Sequence, residues 1–216
     1  MNSIFKFSVL VLFLVAYSTA NEYKLTYFAV RGRGEFIRFI FAAANQKFED
    51  NRVKGSDWAE LKPTTPFGSL PTLEIKNDDE TVVLAQSLAI AQYLADQFDL
   101  NGEDEIESAL INMYGNQLGD LFDATIGRNL TDSELNRIVT TNLNFFEDRL
   151  IKNGSGYLVG NKLSWADIYL SQMTEFLGDY KTKYLSNYPK VKRLDDSVRS
   201  LPGVADWIEK RPQTPF

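Results

Sequence analysis

The chain has 216 residues, a formal net charge of −6, no cysteine and no histidine. These absences exclude a disulfide framework, a cysteine nucleophile, a Ser-His pair and an ordinary zinc site, so any catalysis must use tyrosine, arginine, lysine, serine or carboxylates. The acidic balance disfavours nucleic acid and anionic membrane surfaces as partners.

The N-terminus has the pattern of a cleaved secretory signal. Lys6 precedes an apolar run over 7–17, and the small residues Ser18, Thr19 and Ala20 follow it. The run is shorter than the ~20 residues needed to span a bilayer, which favours cleavage over a membrane anchor. We therefore predict that residues 1–20 are removed and that the protein is secreted, without membrane insertion. Loss of Lys6 takes the formal charge from −6 to −7.

The first half of the mature chain alternates between strand and helix patterns, and we assign residues 21–98 to one domain. An aromatic-rich alternating segment begins at Tyr23, and an apolar-faced helix is expected after the turn Gly32-Arg33-Gly34. Ser87 is expected to cap the last helix. The predicted strands are 23–28, 48–53, 72–75 and 81–84, and the predicted helices begin after 34, at 57 and after 87. The element order is therefore βαβαββα.

The second half, residues 103–216, has helical periodicity almost throughout, and we predict an all-helical domain. Two long helices repeat apolar residues on one face. These residues are Ile106, Leu110, Tyr114, Leu118 and Leu121 in the first helix and Leu135, Val139, Leu143, Phe146 and Leu150 in the second. Ser164 and Asp167 fit an N-capping box that opens a further helix. Pro189 and Pro202 mark boundaries of the final helices.

Tyr27 ends the first predicted strand, just before the first helix. A tyrosine hydroxyl in that position can donate a hydrogen bond to a thiolate and so favour ionisation of a bound thiol, whose free pKa is about 8.5. On spacing alone, a tyrosine that merely ends a half-buried strand is the favoured interpretation. The interpretation of Tyr27 as a hydrogen-bond donor to a thiolate therefore depends on the other motifs.

Two further motifs offer polar groups to a bound peptide. Leu70-Pro71 precedes a strand, where a cis proline would leave the backbone of Leu70 free to pair with a ligand, although a simple tight turn fits nearly as well. Gln86 and Ser87 place an amide, a hydroxyl and free N–H groups at a helix start. That arrangement suits a carboxylate, and it also suits an ordinary N-cap.

In this order and spacing, the segments resemble a sigma-class glutathione transferase, the class that includes the glutathione-dependent prostaglandin D synthases. The resemblance covers the mature chain from Tyr23 to its carboxyl end and includes the box formed by Ser164 and Asp167. It implies a thioredoxin-like domain followed by a helical bundle, a homodimer, and glutathione as cosubstrate.

The resemblance also implies roles for individual residues. Tyr27 matches the thiol-activating tyrosine, and Arg33 matches an arginine near the sulfur. The other matches to the glutathione site are Trp58 and Lys62 for the glycyl carboxylate, Gly68, Ser69, Leu70 and Pro71 around the backbone pairing, and Gln86 and Ser87 for the γ-glutamyl group. By residue type alone, Trp58 and Lys62 could also simply cover a surface.

In dimeric family members, an aspartate of the neighbouring subunit reaches the γ-glutamyl ammonium, and Asp120 is the best match. The second-substrate pocket is expected to include Val30, Gly32, Asp123 and Gly127. Ser69 stands where prostaglandin synthases of this class often have a lysine, which removes one cation. Gly119 replaces an acid beside Asp120 at the metal cluster of some relatives, so we predict no essential metal.

Two sequons, Asn129-Leu130-Thr131 and Asn153-Gly154-Ser155, fall at predicted helix junctions. In a secreted chain both positions would be open to N-glycosylation. Chance sequons are common in an Asn-rich sequence, so their placement is supporting information only.

The principal hypothesis is a secreted, dimeric glutathione transferase that conjugates the glutathione thiolate to a small hydrophobic electrophile. The same thiolate could isomerise prostaglandin H2 to its D form or reduce an organic hydroperoxide. The alternative is a non-enzymatic secreted carrier of glutathione or of a hydrophobic ligand. Loss of the tyrosine or of the Gln-Ser pair would favour the carrier, and both Tyr27 and Gln86-Ser87 are present.

Overall fold

A four-stranded mixed sheet organises the first half of the molecule in the computed structural model, which describes residues 21–78 and 80–214. The predicted signal, residues 1–20, lies outside the described residues. The strands are β1 (Glu22–Phe28), β2 (Glu49–Val53), β3 (Thr72–Lys76) and β4 (Thr81–Ala85), in the spatial order β2-β1-β3-β4. Strands β1 and β2 are parallel, and the β1–β3 and β3–β4 pairs are antiparallel.

Helices pack on this sheet in the predicted order. They are α1 (Gly32–Ala43), α2 (Trp58–Leu61), a 3-10 turn (Lys62–Thr64) and α3 (Ser87–Gln97). Five apolar residues of α1 are fully buried: Phe36, Ile37, Phe39, Ile40 and Phe41. The βαβαββα order and the thioredoxin-like domain are therefore confirmed.

Two predicted helix starts differ from the structure. Helix α1 begins at Gly32, inside the expected turn, because Arg31 before it already has helical backbone angles. Ser87 is the first residue of α3 and not its cap. Gln86 occupies the N-cap position, so the polarity of Ser87 alone did not identify the boundary.

The second half is helical, as predicted. Its elements are α4 (Glu105–Thr125), α5 (Asp132–Asn153), α6 (Trp165–Met173), a 3-10 turn (Thr174–Tyr180), α7 (Lys181–Leu185), α8 (Pro189–Arg199) and α9 (Pro202–Lys210). Asp104 caps α4 by accepting hydrogen bonds from two backbone N–H groups of its first turn. Thr131 and Glu134 form a capping box at α5 that the sequence reading missed. Among the described residues, no helix is long and apolar enough to cross a membrane.

Helix α6 forms the centre of the helical domain, and every residue in it is buried. Gly115 lets α4 approach it closely, since a Cβ atom at that position would lie 1.8 Å from Cη2 of Trp165. Leu118 and Leu121 are buried as predicted, but Ile106 on the same predicted face is 71% exposed. It lies in the first turn of α4, where the helical period continues without a core to cover it.

The predicted capping box at Ser164 and Asp167 is present and fully internal. The Asp167 carboxylate accepts hydrogen bonds from the Ser164 N–H at 2.8 Å, the Ser164 hydroxyl at 2.6 Å and the Leu158 N–H at 2.8 Å. Burial raises the pKa of this carboxyl to about 6, although these donors favour its charged form. The box therefore joins the start of α6 to the loop that precedes it.

We predict that Asp167→Ala lowers the free energy of unfolding by about 2–4 kcal/mol, because it strands two buried N–H donors. Glu134→Ala is the matched control, since it breaks an equivalent box at an exposed site and should have a clearly smaller effect. Urea unfolding of both variants measures the difference. Equal losses of unfolding free energy in the two variants would show that burial does not determine how much a capping box stabilises the protein.

Candidate functional site

Three separate segments meet at one end of the sheet. The register pairs Thr26 with Thr72 and Thr72 with Ala85. Continuing this antiparallel register by one residue brings Tyr27, Pro71 and Gln86 to the same edge. Motifs that are 44 and 15 residues apart in the chain therefore form one site.

Tyr27 lies inside this edge, with only 8% of its surface exposed. Its hydroxyl oxygen accepts a hydrogen bond from the backbone N–H of Arg33 at 3.1 Å, at the start of α1. Gly32 makes this contact possible, because a Cβ atom there would lie 2.7 Å from the Tyr27 hydroxyl. Gly32 also has a φ of +40°, a backbone angle that favours glycine.

Burial raises the pKa of the Tyr27 hydroxyl above its ordinary value, and the Arg33 hydrogen bond offsets only part of that effect. The guanidinium carbon of Arg38 lies 5.9 Å from the centre of the tyrosine ring. The phenol consequently remains protonated at neutral pH. It accepts one hydrogen bond from the backbone and keeps its own proton to donate to a ligand.

Arg33 joins the sheet edge to the helical domain. Its guanidinium forms an ion pair with Asp123 and lies over the ring of Phe122, 4.7 Å from its centre. Both partners belong to α4. Of the residues expected around the second substrate, the structure thus brings Gly32 and Asp123 to either side of Arg33. Val30 is half-buried before α1, and Gly127 is exposed beyond the end of α4.

Trp58 and Lys62 flank the loop that leads into β3. The Trp58 ring packs edge-on against Phe28, with 5.3 Å between ring centres. The side chain of Lys62 runs beside Gly68, since a Cβ atom on that glycine would lie 3.4 Å from the lysine Cε. This places an indole and an exposed ammonium at the rim of the site, next to the exposed Ser69.

The Leu70-Pro71 peptide bond is cis, as the sequence motif suggested. Gln86 adopts φ 72° and ψ 111°, an unusual conformation for a residue other than glycine. Such strained residues concentrate at ligand sites, where surrounding structure holds them in place. Gln86 is exposed, whereas Ser87 is 6% exposed and begins α3, whose first N–H groups have no acceptor within the helix.

Tyr169 of α6 also lies near the site, although no sequence motif predicts it there. This residue is fully buried and stacks on Phe36 with 4.0 Å between ring centres. No described residue accepts or donates a hydrogen bond at its hydroxyl. Burial raises its pKa, and the charges of Arg33 and Asp123 act on it, so it lies close to the site. Its pattern in the sequence is simply that of a core residue.

Two expectations remain predictions: the role of Asp120 and the absence of an essential metal. Asp120 is exposed on α4, one helical turn before Asp123, so a role across a subunit interface stays a prediction. The described side chains also form no acidic cluster that could hold a metal ion.

Comparisons with known proteins identify the class to which this fold and site belong. Residues 23–96 match the N-terminal domain of glutathione S-transferase, and residues 124–211 match its C-terminal domain. Haematopoietic prostaglandin D synthase of Gallus gallus is 39% identical over 203 residues, which cover 89% of this chain and 98% of that protein. The chain belongs to the glutathione S-transferase family.

Two nematode proteins are also similar. Glutathione S-transferase 1 of Ascaris suum is 39% identical over 208 residues, which cover 90% of this chain and 99% of that protein. The solved structure of monomeric Na-GST-3, a glutathione S-transferase of the hookworm Necator americanus, superposes with a TM-score of 0.78 at 34% identity. The superposition covers 90% of this chain and 100% of the Na-GST-3 chain.

We predict that Gly32→Ala reduces glutathione-dependent conjugation by at least about tenfold, because the new methyl group must displace the Tyr27 hydroxyl. Steady-state rates with an aromatic electrophile measure the loss, and thermal unfolding checks that the variant folds.

Gly55→Ala is the matched control, since a Cβ atom there meets nothing within 4 Å. It should retain the wild-type rate. A folded Gly32→Ala protein with the wild-type rate would show that the close approach is not needed.

Proposed function

We propose that this protein is a glutathione transferase that uses Tyr27 to stabilise the glutathione thiolate. The observation that carries the proposal is the buried Tyr27 hydroxyl. Its oxygen accepts a hydrogen bond from the Arg33 N–H at the start of α1, and no described group accepts its own proton, which is therefore available to a ligand. A hydrogen bond to an anion is stronger than one to a neutral acceptor, so the hydroxyl favours the ionised sulfur over the thiol. Family membership and relatives named glutathione S-transferases support this function.

The rest of the edge fits the tripeptide. The first N–H groups of α3, with Gln86 and Ser87, suit the γ-glutamyl carboxylate. The backbone of Leu70 suits the peptide bond of the cysteinyl residue. Trp58 and Lys62 at the rim suit the glycyl carboxylate. This arrangement presents the sulfur to Tyr27 at the centre of the sheet edge.

In the proposed reaction, the thiolate attacks an electrophilic carbon and a carbon–sulfur bond forms. Either a leaving group departs with its electron pair, or, in an addition to an activated double bond, the electron pair of that bond moves to a neighbouring atom, which takes up a proton. The electrophile enters between the start of α1 and the end of α4, near Val30, Gly32 and Asp123. Relatives named prostaglandin D synthases support a prostaglandin endoperoxide as one further substrate.

We also propose the finer assignments: a sigma-class, homodimeric and secreted glycoprotein. The resemblance of the motifs supports the class, and the apolar run in residues 1–20 supports secretion. For the dimer, Phe67 before β3 is 69% exposed and Val83 on the edge strand β4 is 45% exposed, so both present apolar surface to a partner. One structural neighbour is described as monomeric, so the assembly needs its own test.

Tyr27→Phe should reduce kcat/KM at neutral pH by about ten- to a hundredfold, because it removes a charge-assisted hydrogen bond to sulfur. Without that donor, the pKa of the bound thiol rises. The acidic limb of the pH–rate profile therefore moves to higher pH by about one to two units. The deficit should shrink as the pH rises above the new value.

Tyr157→Phe is the control for loss of a hydroxyl far from the site and should leave the profile unchanged. Glutathione binding by Tyr27→Phe is measured by calorimetry. If that variant binds glutathione and keeps the wild-type profile, the proposed role of Tyr27 is wrong.

The homodimer is tested by sedimentation velocity of the mature chain, which should show twice the chain mass. Phe67→Ser should shift the protein toward monomer by removing apolar surface from the proposed interface. Ile151→Ser, at a residue that is 57% exposed on α5, is the control. A wild-type monomer would reject both the dimer and the proposed role of Asp120 across it.

We further propose that only one of the two sequons is used. The Asn153 amide already donates to the Ser155 hydroxyl at 2.7 Å and to the carbonyls of Tyr157 and Gly160, both at 2.9 Å. A glycan would break this set of bonds, which closes the loop after α5. Asn129 is exposed in the loop between α4 and α5.

The test uses the full-length chain secreted by a eukaryotic cell line. In the Asn129→Gln variant, enzymatic removal of N-glycans should no longer shift the gel mobility. The same treatment of Asn153→Gln should still produce the wild-type shift. A shift that survives Asn129→Gln and disappears in Asn153→Gln would reverse the assignment. Retention of the protein inside the cells would reject secretion.

A further inference from the structure

A small cleft lies where the loop after α5 meets helix α8. Its volume is about 250 Å³, which suits a ligand smaller than a drug-sized molecule. Its walls are Leu150, the loop 154–157, and Lys190, Arg193 and Ser197 of α8. Among the described residues that line the cleft, two are cations and none is acidic, although the whole chain has a net charge of −6.

Lys190 and Arg193 bring two positive charges to this wall. The two residues are three positions apart on α8, and both are exposed. No described group forms an ion pair or a hydrogen bond with either side chain. Lys190 is also the second residue of α8, where a cation opposes the helix dipole. The position of this charge therefore does not stabilise the helix that carries it.

The backbone at the start of α8 is already engaged by Glu147 of α5. This carboxylate is only 8% exposed and accepts hydrogen bonds from the Lys190 N–H at 3.0 Å and the Val191 N–H at 2.9 Å. The helix N-terminus is thus satisfied inside the protein. Attraction for an anion in the cleft must come from the side chains of Lys190 and Arg193 and from the loop.

The loop across the cleft from α8 is held in shape and keeps hydrogen-bond donors free. The Asn153 amide donates to the Ser155 hydroxyl oxygen at 2.7 Å and to the carbonyls of Tyr157 and Gly160 at 2.9 Å. The Ser155 oxygen also accepts from the Tyr157 N–H at 3.2 Å, so both of its lone pairs are used and its own proton remains for a ligand. The N–H groups of Ser155 and Gly156 likewise donate to no described acceptor.

We propose that this cleft binds a small organic phosphate monoester. Two cations match the two negative charges that such an ester carries above its second pKa of about 6. The Arg193 guanidinium and the Lys190 ammonium form charge-assisted hydrogen bonds to phosphate oxygens, and the Ser155 hydroxyl adds a third donor. Leu150 and Tyr157 offer apolar surface to the organic part of the ester.

The cleft is independent of the transferase proposal. None of its described lining residues belongs to the proposed glutathione site or to the proposed electrophile space. The two proposals can therefore fail separately.

The probe for the test is phenyl phosphate, titrated into the mature, non-glycosylated protein at about pH 7.5, where the ester is a dianion. Sodium chloride keeps the ionic strength constant. Amide NMR signals report where the probe binds, and we expect saturable shifts of the Ser155 and Gly156 signals with a dissociation constant in the millimolar range. Absence of saturable shifts in these two signals would overturn the proposal.

Phenyl sulfate is the matched probe, because it has the same ring and a similar tetrahedral group but only one negative charge. It should bind at least about threefold more weakly than phenyl phosphate, since one of the two cations is left without a counter-charge. Equal or tighter binding of phenyl sulfate would overturn the assignment of a phosphate monoester.

Lys190→Gln and Arg193→Gln each remove one positive charge from the cleft. Each should weaken binding of phenyl phosphate by about three- to tenfold, because a charge-assisted hydrogen bond is lost. Lys192→Gln is the matched control, since Lys192 is exposed on the same helix, pairs with Asp196 and does not line the cleft. It should bind phenyl phosphate as the wild type does.

Equal weakening in Lys192→Gln would reveal a general effect of net charge and would overturn the site, as would wild-type affinity in both cleft variants. All three substituted residues are exposed, and thermal unfolding checks that each variant folds. The conjugation rate should stay at the wild-type value in every variant. Failure of the transferase function would appear as an absent conjugation rate in the wild type, whereas failure of this site would appear in the phenyl phosphate titrations alone.

Discussion

Helix α1 is buried on both sides, and the arrangement of the two domains depends on it. One side packs on the sheet, and the other side packs on α6, where Phe36 stacks on Tyr169. Its Glu35 carboxylate is fully buried and accepts hydrogen bonds from Arg38 at 2.9 Å, Arg211 at 2.6 Å and the Trp207 indole at 3.0 Å. A buried carboxylate without such partners would be strongly destabilising, so the C-terminal segment must dock on α1.

This constraint explains the geometry of the candidate site. Because α1 packs against both the sheet and α6, its first residues lie beside Tyr27, where the Arg33 N–H donates a hydrogen bond to the phenol oxygen. The Arg33 side chain then reaches Asp123 and Phe122 on the opposite domain. The proposed thiol site and the proposed electrophile space therefore both lie at the same helix terminus, which suits a reaction that must bring two substrates together.

The charge network continues from α1 to the 3-10 turn Thr174–Tyr180. Arg211 also pairs with Glu175 at 2.9 Å, and Arg199 pairs with the same carboxylate at 3.0 Å. Although burial opposes it, these guanidinium groups hold the pKa of Glu175 below its usual value, so it stays ionised at neutral pH. Through Glu175, the 3-10 turn after α6 is therefore tied to α8 and to the C-terminal segment.

Local patterns in the sequence determined the element order, the helical second half and the box at Ser164 and Asp167, because strand and helix periods and capping depend on near neighbours. The absence of cysteine and histidine limited the chemistry before any fold was known. The register that brings Tyr27, Pro71 and Gln86 to one end of the sheet, the exposure of Ile106 and the hydrogen bonds of the Asn153 amide required the tertiary structure. Each depends on the packing of elements that the local sequence pattern does not specify. The periodicity of a helix shows which face is apolar, and packing alone decides what that face covers.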